Sequence, residues 1–415
     1  MAADFLKLIH LPQAVRMLLE RVPGPVGDVE EKNIEEALGR VAARDVASPE
    51  DLPGFDRSSM DGYAVRAADT FGASEGSAAY LELAGEVMMG RASDLSVGAG
   101  QALRISTGGV MPDGADAVVM VENTELAGTT VEVVKGVAPG ENTIGRDEDV
   151  AAGSLLVEQD QALGPAQLGA LAGVGIVKVT VYRRPVVAIL STGDEVVPAD
   201  SKPEPGQVRD INTIALAASA VRAGCTAKEC GIVADDFDSL LGAARDALGD
   251  ADVLLISGGS SAGVRDMTLD VLNALGEPGV LAHGIYFKPG KPTLLAVCDG
   301  KLALGLPGNP ASALAVFREV LIPALMKLRG ERPGPASFAP RTVEAVMERS
   351  VASSPGRLEL VPVALKQTED GYLASPIMGK PNLIGTLVRA RGHVRVGEGV
   401  EGLEQGQRVT VEMME

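Results

Sequence analysis

Four turns rich in Gly, Ser and Asp follow apolar runs in the middle of this 415-residue chain: residues 191–195 (STGDE), 235–236 (DD), 257–266 (SGGSSAGVRD) and 306–310 (LPGNP). Ser257, Gly258 and Gly259 offer successive backbone N–H groups to a phosphate, with no side chain in the way; a plain structural turn fits the same residues. Glu195, Asp235 and Asp266, with Asp194 and Asp236 beside them, are carboxylates that one rim would gather. Two like charges about 4 Å apart at an effective dielectric near 20 repel by about 4 kcal/mol, so such a cluster calls for a cation or raised pKa values. Oxygen-only ligands favour Mg²⁺, which takes one or two carboxylates together with a substrate phosphate. Helix capping competes for the same carboxylates, and Asp236 suits it best. Lys288 and Lys291, in FKPGKP (287–292), are two cations on turn-forming residues; they suit an anion pocket or a solvated hairpin. Upstream, FDRSSMDGYAV (55–65) and ISTGGVMPDGADAVVM (105–120) have the composition of functional loops and equally of ordinary turns.

The elements that must position these groups follow from periodicity. Apolar residues at helical spacing predict helices between Phe5 and Val22 and again between Ile34 and Val41. Residues 51–149 read as a β-rich domain, with strands over 102–106, 115–122 and 129–134. A helix near 165–173 and a strand over 176–182 lead to Arg183-Arg184-Pro185, taken as a boundary. From 184 to 330 strands (186–190, 229–233, 252–257, 302–306) alternate with helices (215–223, 239–248), the signature of a parallel α/β sheet. A last helix starts at Asn309-Pro310 and should bury Leu314, Phe317, Leu321 and Leu325. Ligands bind outside the carboxyl ends of such strands, so the four turns should share one rim. Residues 336–415 alternate in RLELVPV, HVRV and RVTVEM and predict a small β-barrel or sandwich. The fold class is therefore a multidomain α/β protein.

Composition removes several function classes. Lys and Arg number 37 against 56 Asp and Glu, a formal charge of −19, and the 12 aromatics include no Trp. Nucleic acid and anionic membranes are poor partners for such a chain. No run approaches the roughly 20 apolar residues of a membrane span, and the first residues lack the apolar core of a secretory signal. Three cysteines, Cys225, Cys230 and Cys298, make no disulfide framework and suggest a reducing compartment, the cytoplasm. His10, His283 and His393 are too scattered for an evident Cys/His zinc site.

In chain order, LGRVAARDVASPEDLPGFDRSSMDGYAV, LRISTGGVMPDGADAVVMVE, GENTIGRDEDV, LSTGDEVV, GIVADD, SGGSSAGVRD, KPGKP and LGLPGNPAS together resemble the molybdopterin molybdenumtransferase family, MoeA and the gephyrin E domain. The resemblance runs nearly end to end and implies four domains: a discontinuous connecting domain of residues 1–50 and 150–183, a β-rich domain, a pterin-binding α/β domain and a C-terminal β-barrel. It implies a homodimer whose active site lies between the α/β domain of one subunit and the β-rich domain of the other. The implied reaction takes adenylylated molybdopterin and molybdate, hydrolyses the adenylate with Mg²⁺ and leaves the metal on the dithiolene. By motif, the resemblance implies that Asp61 and Thr107 come from one subunit, with Asp149 a further acidic position. It assigns Glu195, Asp235 and Asp266 to nucleotide, metal and acid/base work on the other. Ser257, Gly258 and Gly259 would hold the pterin phosphate, and Lys288, Lys291, Pro307 and Pro310 would shape the anion pocket. Arg357 of PGRLEL would face the oxyanion, as would the segment 380–392. Departures stand at Gly284, Ile211, Pro381, Asn382 and Arg391, and they leave molybdate and tungstate both open as the oxyanion. They also keep a noncatalytic cofactor carrier or scaffold as an alternative. Implied partners extend to a pterin adenylyltransferase and molybdoenzyme chaperones.

Overall fold

The computed structural model describes residues 8–258, 262–332, 340–380 and 382–414, with side chains from Met267 onward in the helix that starts at Ala262. Gly259, Pro381 and the side chain of Asp266 thus lie outside the described residues. No helix among the described residues is long and apolar enough to cross a membrane.

Helix α1 (Leu11–Arg21) carries Pro12 in its first turn and buries Leu11, Ala14 and Leu18. The helix expected from Ile34 to Val41 is absent. Strand β1 (Val29–Asn33) and a single 3-10 turn at Ile34–Glu36 precede an irregular segment there. Gly39, at φ 71°, turns the chain in a left-handed conformation that a helix cannot contain. The β-rich part is a curled six-stranded sheet made of β2 (Gly62–Val65), β3 (Ala79–Glu86), β4 (Gln101–Ile105), β5 (Ala117–Met120), β6 (Thr124–Ala127) and β7 (Thr130–Val133). Their order is β5-β2-β4-β3-β7-β6. Alternate residues feed two cores: Tyr63, Val65 and Ala102 in one, Ala64, Leu103 and Ile105 in the other. The chain then returns through α2 (Pro165–Gly173) and β8 (Lys178–Tyr182), which pairs antiparallel with β1, Val29 opposite Tyr182.

The α/β domain contains β9 (Val186–Thr192), α3 (Asn212–Arg222), β10 (Thr226–Val233), α4 (Phe237–Gly249), β11 (Val253–Gly258) and α5 (Ala262–Ala274). It continues through β12 (Pro278–His283), β13 (Phe287–Lys288), β14 (Leu294–Cys298), β15 (Lys301–Pro307), α6 (Pro310–Val316), a π turn (Phe317–Leu321) and α7 (Ile322–Leu328). The sheet order is β10-β9-β11-β15-β14-β12. The first four strands are parallel, as expected, and β14 and β12 extend the sheet antiparallel. Asp299-Gly300, both at positive φ, supplies the two-residue hairpin turn that makes β14 reverse into β15. Val187 and Ile189 face a core shared with α1, α3 and the last helices, while Ala188 and Leu190 face α4 and α5. Burial on both faces is why these strands read as unbroken apolar runs. The final helix is not continuous. Pro323 has no N–H to return to the preceding turn, and the chain widens into the π turn ahead of it. Phe317, Leu321 and Leu325 are buried, whereas Leu314 is only partly so.

The C-terminal part is the expected barrel: β16 (Thr342–Met347), β17 (Leu358–Thr368), β18 (Gly371–Pro376), β19 (Gly392–Val396) and β20 (Arg408–Met413). Five strands close in the order β17-β18-β16-β20-β19, with β19 pairing back onto β17. Strand β13 of the α/β domain adds parallel to β17, so that Lys288 lies opposite Glu359.

Candidate active site

At the carboxyl ends of β9, β11 and β15, Thr192, Gly258 and Pro307 are in register. A Cβ on Gly258 would stand 2.1 Å from the Thr192 carbonyl oxygen, so only glycine allows this approach. Asn212, in the first turn of α3, donates its amide to the Ser257 hydroxyl at 2.8 Å and to the Gly308 carbonyl at 2.9 Å. One side chain thereby ties α3 to the ends of two strands. Asp235 accepts from the Thr192 hydroxyl at 2.7 Å, and its own N–H donates to the Asp194 carboxylate at 3.2 Å. Glu195 is exposed on the same turn. Asp236 is spent elsewhere, as the capping reading holds: it accepts from the Ser239 N–H at 2.9 Å at the start of α4. Its bonds to Ser239 keep its carboxyl below the usual range. Pro310 is buried in the first turn of α6. The four turns do meet at one rim, the third through Ser257 and Gly258.

A second constellation lies on the β-rich sheet. Asp61 precedes β2 and Thr107 follows β4, and β2 and β4 are paired. Thr107 donates to Asp61 Oδ1 twice, from its N–H at 2.7 Å and its hydroxyl at 3.0 Å. These bonds, the backbone one first, hold the Asp61 carboxyl below its ordinary range. Exposed Met60 and Val121 flank the pair, and the Val121 N–H donates to the Asp61 carbonyl at 3.0 Å. Asp149 is exposed on another loop, where its N–H donates to the Leu52 carbonyl at 3.1 Å. Among the described residues no hydrogen bond joins Asp149 to Asp61 or Thr107, or joins either of these two to the α/β rim.

A third site sits where the α/β domain meets the barrel. Lys291 and Arg357 line a cavity of about 230 Å³ with Ile285, Tyr286, Ser354 and Gly356. The Arg357 Nε is buried and has no partner among the described residues, a state that costs about 1–3 kcal/mol unless a ligand relieves it. Lys288 does not line this cavity; its ammonium lies 2.5 Å from a carboxylate oxygen of buried Glu359. The other Glu359 oxygen accepts from the Ser353 hydroxyl at 2.7 Å.

Comparison with known proteins accounts for almost the whole chain. The MoeA N-terminal region (domain I and II) matches residues 9–175, a molybdopterin binding domain matches 188–327 and the MoeA C-terminal region (domain IV) matches 344–414. The chain is 32% identical to the molybdopterin molybdenumtransferase of Haemophilus influenzae, over 95% of this chain and 98% of that one. It is 31% identical to the Bacillus subtilis protein of the same name, over 95% of each. A crystal structure of a molybdopterin biosynthesis MoeA protein from Pyrococcus horikoshii superposes with a TM-score of 0.79 at 37% identity, covering 98% of this chain and 99% of that one. The chain belongs to the MoeA family.

For this MoeA-family chain, three polar groups at these sites lie beyond what sequence reasoning picked out. Thr192 orients Asp235, Asn212 fastens Ser257, and Glu359 holds Lys288. Asn212 had a signal, an Asp-x-Asn run opening a helix; Glu359 had none, because its partner is 71 positions away. The donor set also bears on a metal. No Lys or Arg ion pair engages Asp194, Glu195 or Asp235 among the described residues, which suits a cation that takes one or two carboxylates and leaves room for phosphate and water. A different trio, Glu319, His393 and Glu412, brings its ligand atoms within 4.8 Å of one another. Arg318 and Arg395 already fill that trio with charge.

Proposed function

We propose that this chain is a molybdopterin molybdenumtransferase that inserts molybdate into adenylylated molybdopterin, with hydrolysis of the adenylate, to form the molybdenum cofactor. The observation that carries this reading is the unpartnered Arg357 Nε in a cationic pocket with Lys291, on a chain whose relatives bear that name over nearly their full length. Ser257 and Gly258, with Gly259, cradle the pterin phosphate at the rim, and Pro307 and Pro310 fix the neighbouring turn. Lys288, Lys291 and Arg357 hold the oxyanion, molybdate or tungstate, by charge. Glu195 and Asp235 would hold Mg²⁺, which when bound neutralises the phosphate linkage and polarises phosphorus. Thr192 keeps Asp235 aimed, and Asp266 or Asp149 orients the attacking water.

Asp61 and Thr107 act from a second copy of the chain. Support for a dimer comes from exposed apolar residues beside them: Met60 and Val121 next to Asp61 and Met89 next to Gly108 are 41%, 48% and 55% exposed. A patch of this kind marks an interaction surface. Free cysteines at 225, 230 and 298 support the cytoplasm as its compartment.

The test is AMP release from adenylylated molybdopterin with Mg²⁺, compared for molybdate, tungstate and no oxyanion. AMP should appear only with an oxyanion, and the faster anion names the metal. Pterin binding without AMP release under any of the three conditions overturns the reading in favour of a carrier.

A further inference from the structure

Glu359 is the anomaly beside the anion pocket: a buried carboxylate opposite Lys288, next to the lining residue Phe287. It is 6% exposed, and a buried carboxylate is costly unless it is paired and hydrogen-bonded. Both needs are met, by Lys288 at 2.5 Å and by the Ser353 hydroxyl at 2.7 Å. The Lys288 side chain is 43% exposed, so the lysine can leave while the carboxylate cannot. Arg357 stands two positions before Glu359, at the bend that leads into β17. The next carboxylate in this region, Glu398, is not part of the lining and pairs with His10 at 2.9 Å. Lys291 and Arg357 give the cavity lining two positive charges, equal and opposite to a tetrahedral oxyanion of the molybdate type, and the neighbouring Lys288–Glu359 pair adds no net charge.

We propose that Glu359 is a positioning residue that competes with the oxyanion for Lys288, limiting how tightly the pocket holds its anion so that the anion can pass to the pterin. The proposal rests on the oxyanion reading of the pocket. In the anion-free protein Lys288 is parked on Glu359; an arriving oxyanion draws the ammonium across, and the carboxylate takes it back as the anion leaves. No covalent bond is made or broken. A pocket without this counter-ion binds its ground state harder without helping the reaction, which lowers KM and kcat together.

The experiment is calorimetric titration of the full-length protein with sodium molybdate, alongside steady-state kinetics. Glu359→Gln keeps the shape and the acceptor for Ser353 and removes the charge. It should bind molybdate at least tenfold more tightly than wild type, with lower KM for molybdate and lower kcat. Lys288→Gln/Glu359→Gln restores the net charge and should return affinity to within about threefold of wild type. If Glu359→Gln fails to fold, the double variant, which buries no unpaired charge, decides alone: wild-type affinity upholds the proposal and loss of binding overturns it. Unchanged or weakened binding by folded Glu359→Gln overturns it while leaving the pocket reading intact, provided Arg357→Ala loses molybdate. No molybdate binding by wild type overturns both.

Discussion

Two charge clusters cross from the α/β domain to the barrel, and they are built to different ends. In the first, Arg318 and Glu319 of the π turn meet His393 and Arg395 of β19 and Glu412 of β20. Arg318 donates to His393 Nδ1 at 2.8 Å and to Glu412 at 3.1 Å. A guanidinium can only donate, so Nδ1 carries the lone pair and Nε2–H donates to Glu412 at 2.8 Å. Arg395 donates to Glu412 at 2.5 Å and also to Glu319. Two guanidiniums, two carboxylates and a neutral imidazole make a closed set. The second cluster, around Arg357, Lys291, Lys288 and Glu359, carries excess positive charge and a buried N–H with no partner among the described residues. The closed set serves docking; the open one stores a demand for a ligand.

Breaking the closed set should cost the most. Glu412→Ala strips two guanidiniums and an imidazole of a shared acceptor. A broken buried pair typically costs about 3–5 kcal/mol, and this loss should register as a lower midpoint in chemical denaturation. A smaller effect comes from pH. Burial first, then Arg318, pushes the His393 pKa down to about 4 from an ordinary 6.5. The unfolded chain therefore takes up a proton between those values that the folded chain refuses. Stability from this group is complete above about pH 6.5 and declines as pH falls toward 4, by up to about 3 kcal/mol at 1.36 kcal/mol per unit. His393→Gln keeps an acceptor for Arg318 and a donor for Glu412, and should flatten that part of the stability–pH curve; an unaltered slope would assign the acid sensitivity to other groups.

How much of this was legible beforehand depended on range. The rim turns could be read because each is local: STGDE, SGG and LPGNP announce their geometry within a few residues, and the α/β alternation places them together. The Asp61–Thr107 bond spans 46 positions, and only the family resemblance singled these two residues out. The helix expected at Ile34–Val41 failed because four apolar residues at the right spacing cannot outvote a left-handed Gly39 and the pull of β8 on the preceding strand. The closed charge set was invisible. Its partners are 75 and 94 positions apart, and nothing about Arg318 or His393 distinguishes them from surface residues until the π turn aims one at the other. The site itself was more legible than its supports.

The smallest expected change in stability sharpens the contrast further. Arg357→Met removes a buried donor that has no acceptor, which relieves about 1–3 kcal/mol of desolvation, and keeps an unbranched apolar side chain against Tyr286 and Ile285. It also forfeits some packing of the arginine stem. The two terms oppose each other, so the denaturation midpoint should shift by no more than about 1 kcal/mol, in either direction, while molybdate binding disappears. Residues retained for a ligand need not stabilise the free protein, and some are kept at its expense. A large destabilisation by Arg357→Met would mean that this guanidinium belongs with Arg318 and Arg395 as part of the docking scaffold, and that the two clusters are one.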